Sequence, residues 1–277
     1  MAPNITPPYQ TQTLRKQKEG SRDGLEGNGP VIIGIGREGA AAVERMNQVD
    51  GLPDDLSCYL LLPGDGQNDN EGASAWFDLS LSGILVIGSD DPWAIEQARW
   101  LVNEMVAEAV YMKVAVLIGK SAIDKAGNMA ELPLDAIISL PNLWNHAWQE
   151  FYQPLLQVMR IFFGEAGLVC VEESEIKEML MLGGKTWSVK AASYASHAVG
   201  GNPEKAAYEL ARQLPKNTTK IIAMMQDGVD MLIEDFDSIG EGFRKARNSS
   251  VSVLLKTHIN TKKSGEAYLV ALHGEKH

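Results

Sequence analysis

Cysteine is scarce in this chain: among 277 residues only Cys58 and Cys170 occur. Two thiols cannot build a disulfide framework or a cysteine zinc site, so neither staples the fold. Long apolar runs are missing too, and none reaches the ~18 residues of a membrane-spanning helix. The N-terminus has no apolar stretch of the secretory-signal kind. Positive charge is short: 25 Lys and Arg face 36 Asp and Glu, a net charge of −11. An acidic surface repels phosphate backbones and anionic headgroups, which argues against nucleic-acid binding and direct membrane insertion. His146, His197, His258 and His273 show no metal-ligand spacing, so no metal site is expected. What is present is ordinary for a globular protein, with 45% apolar and 22% charged residues. The length predicts about two domains in a cytoplasmic protein.

Residues 1–29 are polar, rich in Pro, Gln, Lys and Gly and without a period, and read as a disordered tail. From Pro30 the pattern changes. Val31-Ile32-Ile33 predicts a strand, the following glycines a tight turn, and Ala40 to Met46 a helix. Further buried strands are expected at Leu56–Leu62, Ile84–Ile87, Val114–Ile118 and Ala136–Leu140. Asp91 and Pro92 open a long helix whose apolar face runs from Trp93 to Ala109. Non-alternating strands separated by helices predict a Rossmann-type parallel sheet over 30–144. A central helix over 145–167 leads to a smaller α+β domain over 168–277. There a helix from Pro203, a strand at Lys220–Met225 and a helix at Asp235–Ala246 precede strands at Val251–Thr257 and Ala267–Leu272. The last two are expected to pair as a hairpin.

Gly34-Ile35-Gly36-Arg37-Glu38-Gly39 fits G-x-G-x-x-G between a strand and a helix. Glycines there allow close approach to a pyrophosphate, which a helix N-terminus attracts. A dinucleotide enzyme would also need an acidic residue ending the next strand, and Asp65 comes late for that, behind Pro63-Gly64. A plain strand-to-helix turn explains the same glycines.

The order of several motifs resembles the FtsZ/tubulin superfamily. Ile33 to Gly39, with Ala42-Val43 and Arg45-Met46, resembles the first nucleotide loop of FtsZ. Asp135 to Asn142 resembles the strand and Pro-Asn turn before its central helix, and Leu168 to Ile176 its synergy loop. Asp230 to Phe236, Ile239-Gly240, Phe243-Arg244 and Val251 to Leu255 resemble its C-terminal domain. The resemblance implies a tubulin/FtsZ-like α/β fold, a central helix, GTP or GDP as ligand, and head-to-tail filaments. It places nucleotide contacts at Gly34, Gly36, Arg37, Gly39, Gly88 and Ser89. It also makes Glu172 and Glu175 the candidate catalytic carboxylates, with the family's asparagine replaced by Cys170. The base would lie near Trp148, Gln149 and Glu150.

The loops depart from the family. Arg37 and Glu38 stand at glycine positions, Ala41 replaces an asparagine, and the family's run of glycines and threonines reads Gly88-Ser89-Asp90-Asp91-Pro92. Asp90 or Asp91 supplies the anion that a helix N-terminus prefers, and Pro92 suits the first helical position. The expectation is a non-enzymatic, FtsZ-like cytoskeletal protein with a degenerate GTPase site and no required cofactor. It self-associates or binds an FtsZ-type partner through Arg37, Glu172 and Glu175. A slow GTPase with a remodelled pocket and a Rossmann dinucleotide enzyme are the alternatives.

Overall fold

The computed structural model describes residues 9–15, 30–48, 56–64, 77, 82–140, 148–163, 171–196, 199–229, 231–247, 251–259 and 265–275. The chain divides into two compact units, 1–50 with 54–134 and 141–143, and 51–53 with 135–140 and 144–277.

The first unit runs β1 (Tyr9–Arg15), β2 (Val31–Ile35), α1 (Gly36–Asn47), β3 (Ser57–Pro63), β4 (Ser82–Gly88), α2 (Pro92–Ala107), β5 (Met112–Ile118) and α3 (Ala122–Met129). Its sheet has the order β1-β3-β2-β4-β5. The pairs β2–β3, β2–β4 and β4–β5 are parallel, and β1 is antiparallel to β3. Strands β2 and β4 are buried along their whole length, the result of apolar runs without alternation. Helix α1 lies tight against β4 because Gly39 has no Cβ; one there would overlap the Val86 carbonyl. Helix α2 buries Ala94, Ala98, Leu101, Val102 and Met105. Its apolar face ends there: Val106 is exposed, and Ala109, beyond the helix, has a left-handed φ of 53°.

The second unit contains β6 (Ala136–Leu140), α4 (Trp148–Phe163), α5 (Glu173–Leu182), β7 (Thr186–Ala195), α6 (Pro203–Arg212), β8 (Thr218–Asp227), α7 (Ile233–Arg247), β9 (Ser252–Ile259) and β10 (Glu266–Glu275). Its sheet has the order β6-β7-β10-β8-β9. Strand β10 is antiparallel to both β7 and β8, while β6–β7 and β8–β9 are parallel. Helices α6 and α7 cover one face through Ala207, Leu210, Ile239 and Phe243, packed with Ile221, Ala223, Leu269 and Ala271. Helix α4 runs through Pro154 and buries Leu155, Leu156, Val158, Met159 and Ile161.

Three expectations need correction. Tyr9–Arg15 lies inside the segment read as a disordered tail, yet forms β1; its polar sequence conceals a strand held by backbone pairing to β3. Strands β9 and β10 do not form a hairpin. Helix α7 is a crossover that returns β9 parallel to β8, and β10 inserts on the other side of β8. Strand β7 and helix α3 have no counterpart among the expected elements. The second unit takes in β6 and α4 together with the elements of 168–277.

Candidate functional site

In a parallel sheet the strands end together, and the turns at their ends form one rim. Ile35 pairs with Ile87, and Gly88 with Ile118, so the turns after β2, β4 and β5 are neighbours. Gly34, Gly36 and Gly39 form the first turn, Gly88 to Asp91 the second, and Gly119 to Ser121 the third. The glycines are required by space. A Cβ on Gly34 would stand 2.5 Å from the Gly39 carbonyl oxygen. Gly36 has φ 72°, and a Cβ on it would meet Ala94 and an Asp91 carboxylate oxygen at 2.9 Å. Gly119 has φ 122° and faces Ser89 Oγ and Asp90 Oδ2.

Three carboxylates converge on this rim. Asp91 is the N-cap of α2, its Oδ1 accepting from Trp93 N–H at 2.9 Å, with Pro92 at the first helical position. Asp90 turns the other way. Its two oxygens accept from the N–H groups of Lys120 and Ser121, each at 3.0 Å, and tie the β4–α2 turn to the start of α3. The Ser121 hydroxyl, those two N–H groups and the Lys120 charge outweigh burial and hold the Asp90 carboxyl below its ordinary value. Glu38, in the first turn of α1, lies against Gly88, with its Oε2 buried and without a hydrogen-bond partner among the described residues. Burial first, then the charges of Asp90 and Asp91, push its carboxyl up. Arg37 beside it is exposed, and Ser89 is buried.

The second pair of candidates sits at the start of α5. Glu172 is its N-cap, and Glu175 reaches back so that its Oε2 accepts from Glu172 N–H at 2.9 Å. Both side chains are exposed. The residue missed by sequence reasoning is Glu173, which lies between Lys177 and Lys256; burial raises its pKa and those charges oppose the rise. Only the charge run itself hinted at it. Cys170 lies outside the described residues, as do the side chains of Trp148, Gln149 and Glu150.

Deeper in this unit α4 meets the sheet through polar groups. Arg160 Nη1 donates to Gln226 Oε1 at 2.6 Å, Gln157 Nε2 donates to the same oxygen, and Lys256 Nζ donates to the Ile161 carbonyl at 3.1 Å. Among the described residues no group of three or more His, Cys, Asp or Glu is placed to hold a metal ion. Nor is any helix among them long and apolar enough to cross a membrane.

No family model and no curated protein matches the chain. Solved structures do. It is similar to FtsZ of M. jannaschii as an empty dimer, with 12% identity and a TM-score of 0.68 over 89% of this chain and 88% of that one. It is similar to CetZ2 of Haloferax volcanii in a GTPγS-bound protofilament, at 16% identity, TM-score 0.56, covering 89% and 92%. TubZ of Bacillus thuringiensis serovar israelensis, in a GTPγS-form protofilament, matches at 9% identity, TM-score 0.59, covering 90% and 88%. Over about nine-tenths of its length, therefore, this chain has the FtsZ/tubulin-type fold.

Proposed function

We propose that this chain is an FtsZ-like cytoskeletal assembly protein of the bacterial cytoplasm. It associates head-to-tail, with itself or with an FtsZ-type partner, and neither binds nor hydrolyses GTP. The observation that carries the reading is the occupation of the rim by the chain's own carboxylates.

The residues present do not fit the phosphates of GTP. The N–H groups of Trp93, Lys120 and Ser121, which could have received phosphate oxygens, already donate to Asp91 and Asp90. Glu38 closes the space above Gly88. A phosphate charge 4 Å from one carboxylate costs about 4 kcal/mol at a partly buried site, and here there are three carboxylates. Hydrolysis between subunits is disfavoured as well. Glu175 caps its own helix, and reaching a neighbour would require it to release Glu172 N–H.

Assembly then needs another source of cohesion. A heterologous contact that does not close into a ring builds an open filament. Arg37 is exposed at the rim of the first unit, Glu172 and Glu175 at the start of α5. An ion pair between Arg37 of one copy and either glutamate of the next would take the place of nucleotide at the junction.

Titration calorimetry with GTP or GDP at millimolar concentration is expected to give no binding heat. Sedimentation and electron microscopy should give the same assemblies with and without GTP. Saturable GTP binding would overturn the reading in favour of a slow GTPase, in which Arg37 is the cation able to meet a phosphate. Arg37→Glu should shift self-association to higher protein concentration, and unchanged assembly would exclude the Arg37 pairing.

A further inference from the structure

The chain carries a net charge of −11, yet one corner of the second unit gathers cations. It lies on β7, β10 and β8, close to the C-terminal ends of α6 and α7. In an antiparallel ladder, residues directly opposite each other share a face, and so do alternate residues of one strand. His273 stands opposite Ser188 on one side and Ile221 on the other. Ile221 belongs to the core packed with α6 and α7, so His273, Ser188 and Lys190 face that layer as well. Thr218 and Thr219 lie at the register shift beside Gly274 and Glu275.

Arg247 closes the corner from the helix side. It is the last residue of α7, and its Nη2 donates to the carbonyl of Leu214, in the turn between α6 and β8. Thr218 N–H donates to the Pro215 carbonyl at 3.1 Å, so that turn is tight and brings Arg247 to the start of β8. Lys216 is exposed in the same turn, and Lys190 is exposed on β7. The charges that act on the His273 ring are those of Lys190 and Arg247. The side chain of Glu275 lies outside the described residues.

Between these cations sit buried polar groups. His273 is only 2% exposed, and neither of its ring nitrogens has a hydrogen-bond partner among the described residues. The same holds for the Oγ1 atoms of Thr218 and Thr219. Buried groups of this kind are normally satisfied, and here four such atoms are gathered in one place. A ligand that accepts several hydrogen bonds and carries negative charge satisfies the hydroxyls and an imidazole N–H, and balances the cations as well. Water does only the first, and an apolar or cationic ligand does neither.

We propose that this corner binds a tetrahedral oxyanion of the phosphate or sulfate class, held by Lys190, Arg247, the His273 ring and the hydroxyls of Thr218 and Thr219. The site is separate from the rim and does not rest on the reading of function above. An anion beside the ring favours the imidazolium form, so His273 takes up a proton as the anion binds at mildly acidic pH. Binding therefore tightens as pH falls.

Sulfate is the probe, because it keeps its full charge over the pH range of the test. Thermal unfolding of the full-length chain is followed with millimolar sodium sulfate against sodium chloride at equal ionic strength, at pH 7 and 5.5. Sulfate is expected to give a saturable rise in Tm that chloride does not, with a half-saturating concentration severalfold lower at pH 5.5. Lys190→Gln, an exposed site, should raise that concentration, whereas Lys205→Gln, exposed in the first turn of α6, should leave it unchanged. His273→Phe should remove its pH dependence. Inorganic phosphate and glycerol phosphate, compared at one pH, separate a free ion from a phosphorylated molecule: a larger shift with the ester assigns the site to the latter, a smaller one to the former. The proposal is overturned if sulfate and chloride give the same Tm at both pH values. It is overturned equally if Lys190→Gln and His273→Phe both keep the wild-type response, which would place the ion elsewhere.

Discussion

Asp90 and Asp91 are adjacent in sequence and serve different helices. Asp91 caps α2 from two residues away, while Asp90 holds the turn before α3, thirty residues on. Replacing the N-cap by Asp91→Ala should cost about 1 kcal/mol, read as a lower urea midpoint at unchanged m-value. Glu38 behaves oppositely. Its folded-state pKa lies above the unfolded value, so the folded state holds a proton there more tightly. Stability therefore falls as pH rises through that range, and the loss persists above it. Glu38→Gln should raise the melting temperature at pH 7 and leave it nearly unchanged at pH 4; a lower Tm at pH 7 would contradict the assignment. The capping role was legible in the sequence, since Asp-Asp-Pro before an apolar period is a helix start. The partition of the two aspartates was not, because Asp90's partners come from a turn that only the parallel pairing of β4 with β5 brings near.

At the scale of elements, legibility followed burial on both faces. Strands β2, β4, β6 and the middle of β8 are buried throughout and stand out as apolar runs. Strand β7 is half-exposed, with Trp187 its one fully buried large side chain and Lys190 in water, so its composition resembles a loop. Strand β1 carries almost no apolar signal, and the place of β10 between β7 and β8 is a matter of topology that pairwise patterns cannot convey. The α1–β4 contact gives the sharpest element-level expectation. Any Cβ on Gly39 would drive into the Val86 carbonyl, and the obstacle is backbone rather than a flexible side chain. Gly39→Ala should push α1 off the sheet and cost about 3 kcal/mol, at the upper end of ordinary overpacking. Gly127, where a Cβ meets nothing within 4 Å, provides the control: Gly127→Ala should be neutral or stabilising.

The whole molecule is acidic, yet its two described histidines are buried among cations. His258 on β9 lies near Arg160 and Lys256, and burial followed by those charges lowers its pKa to about 4. His273 on β10 is brought to about 4 by burial and then by Lys190 and Arg247. Both are therefore neutral in the folded state at pH values where an unfolded chain, with an ordinary value of 6.5, has already taken up protons. Between pH 6.5 and 4 the unfolded state binds more protons, so stability rises with pH across that window and is lost on acidification. At 1.36 kcal/mol per pH unit, each histidine accounts for a loss on the order of 3 kcal/mol by pH 4, against a typical total of ~5–15 kcal/mol. Asp90, held below its ordinary value, acts in the same direction at lower pH, and Glu38 opposes it weakly. Equilibrium urea unfolding at pH 7, 6, 5 and 4.5 should show a midpoint that drops steadily below pH 6.5. Neither ring nitrogen of His273 has a hydrogen-bond partner among the described residues, so an apolar ring can replace it without orphaning another group. His273→Phe should fold and flatten the pH dependence by about half, leaving the share of His258. If the variant keeps the full slope, His273 is not held neutral inside the sheet, and the acid sensitivity of the molecule has to come from its carboxylates instead.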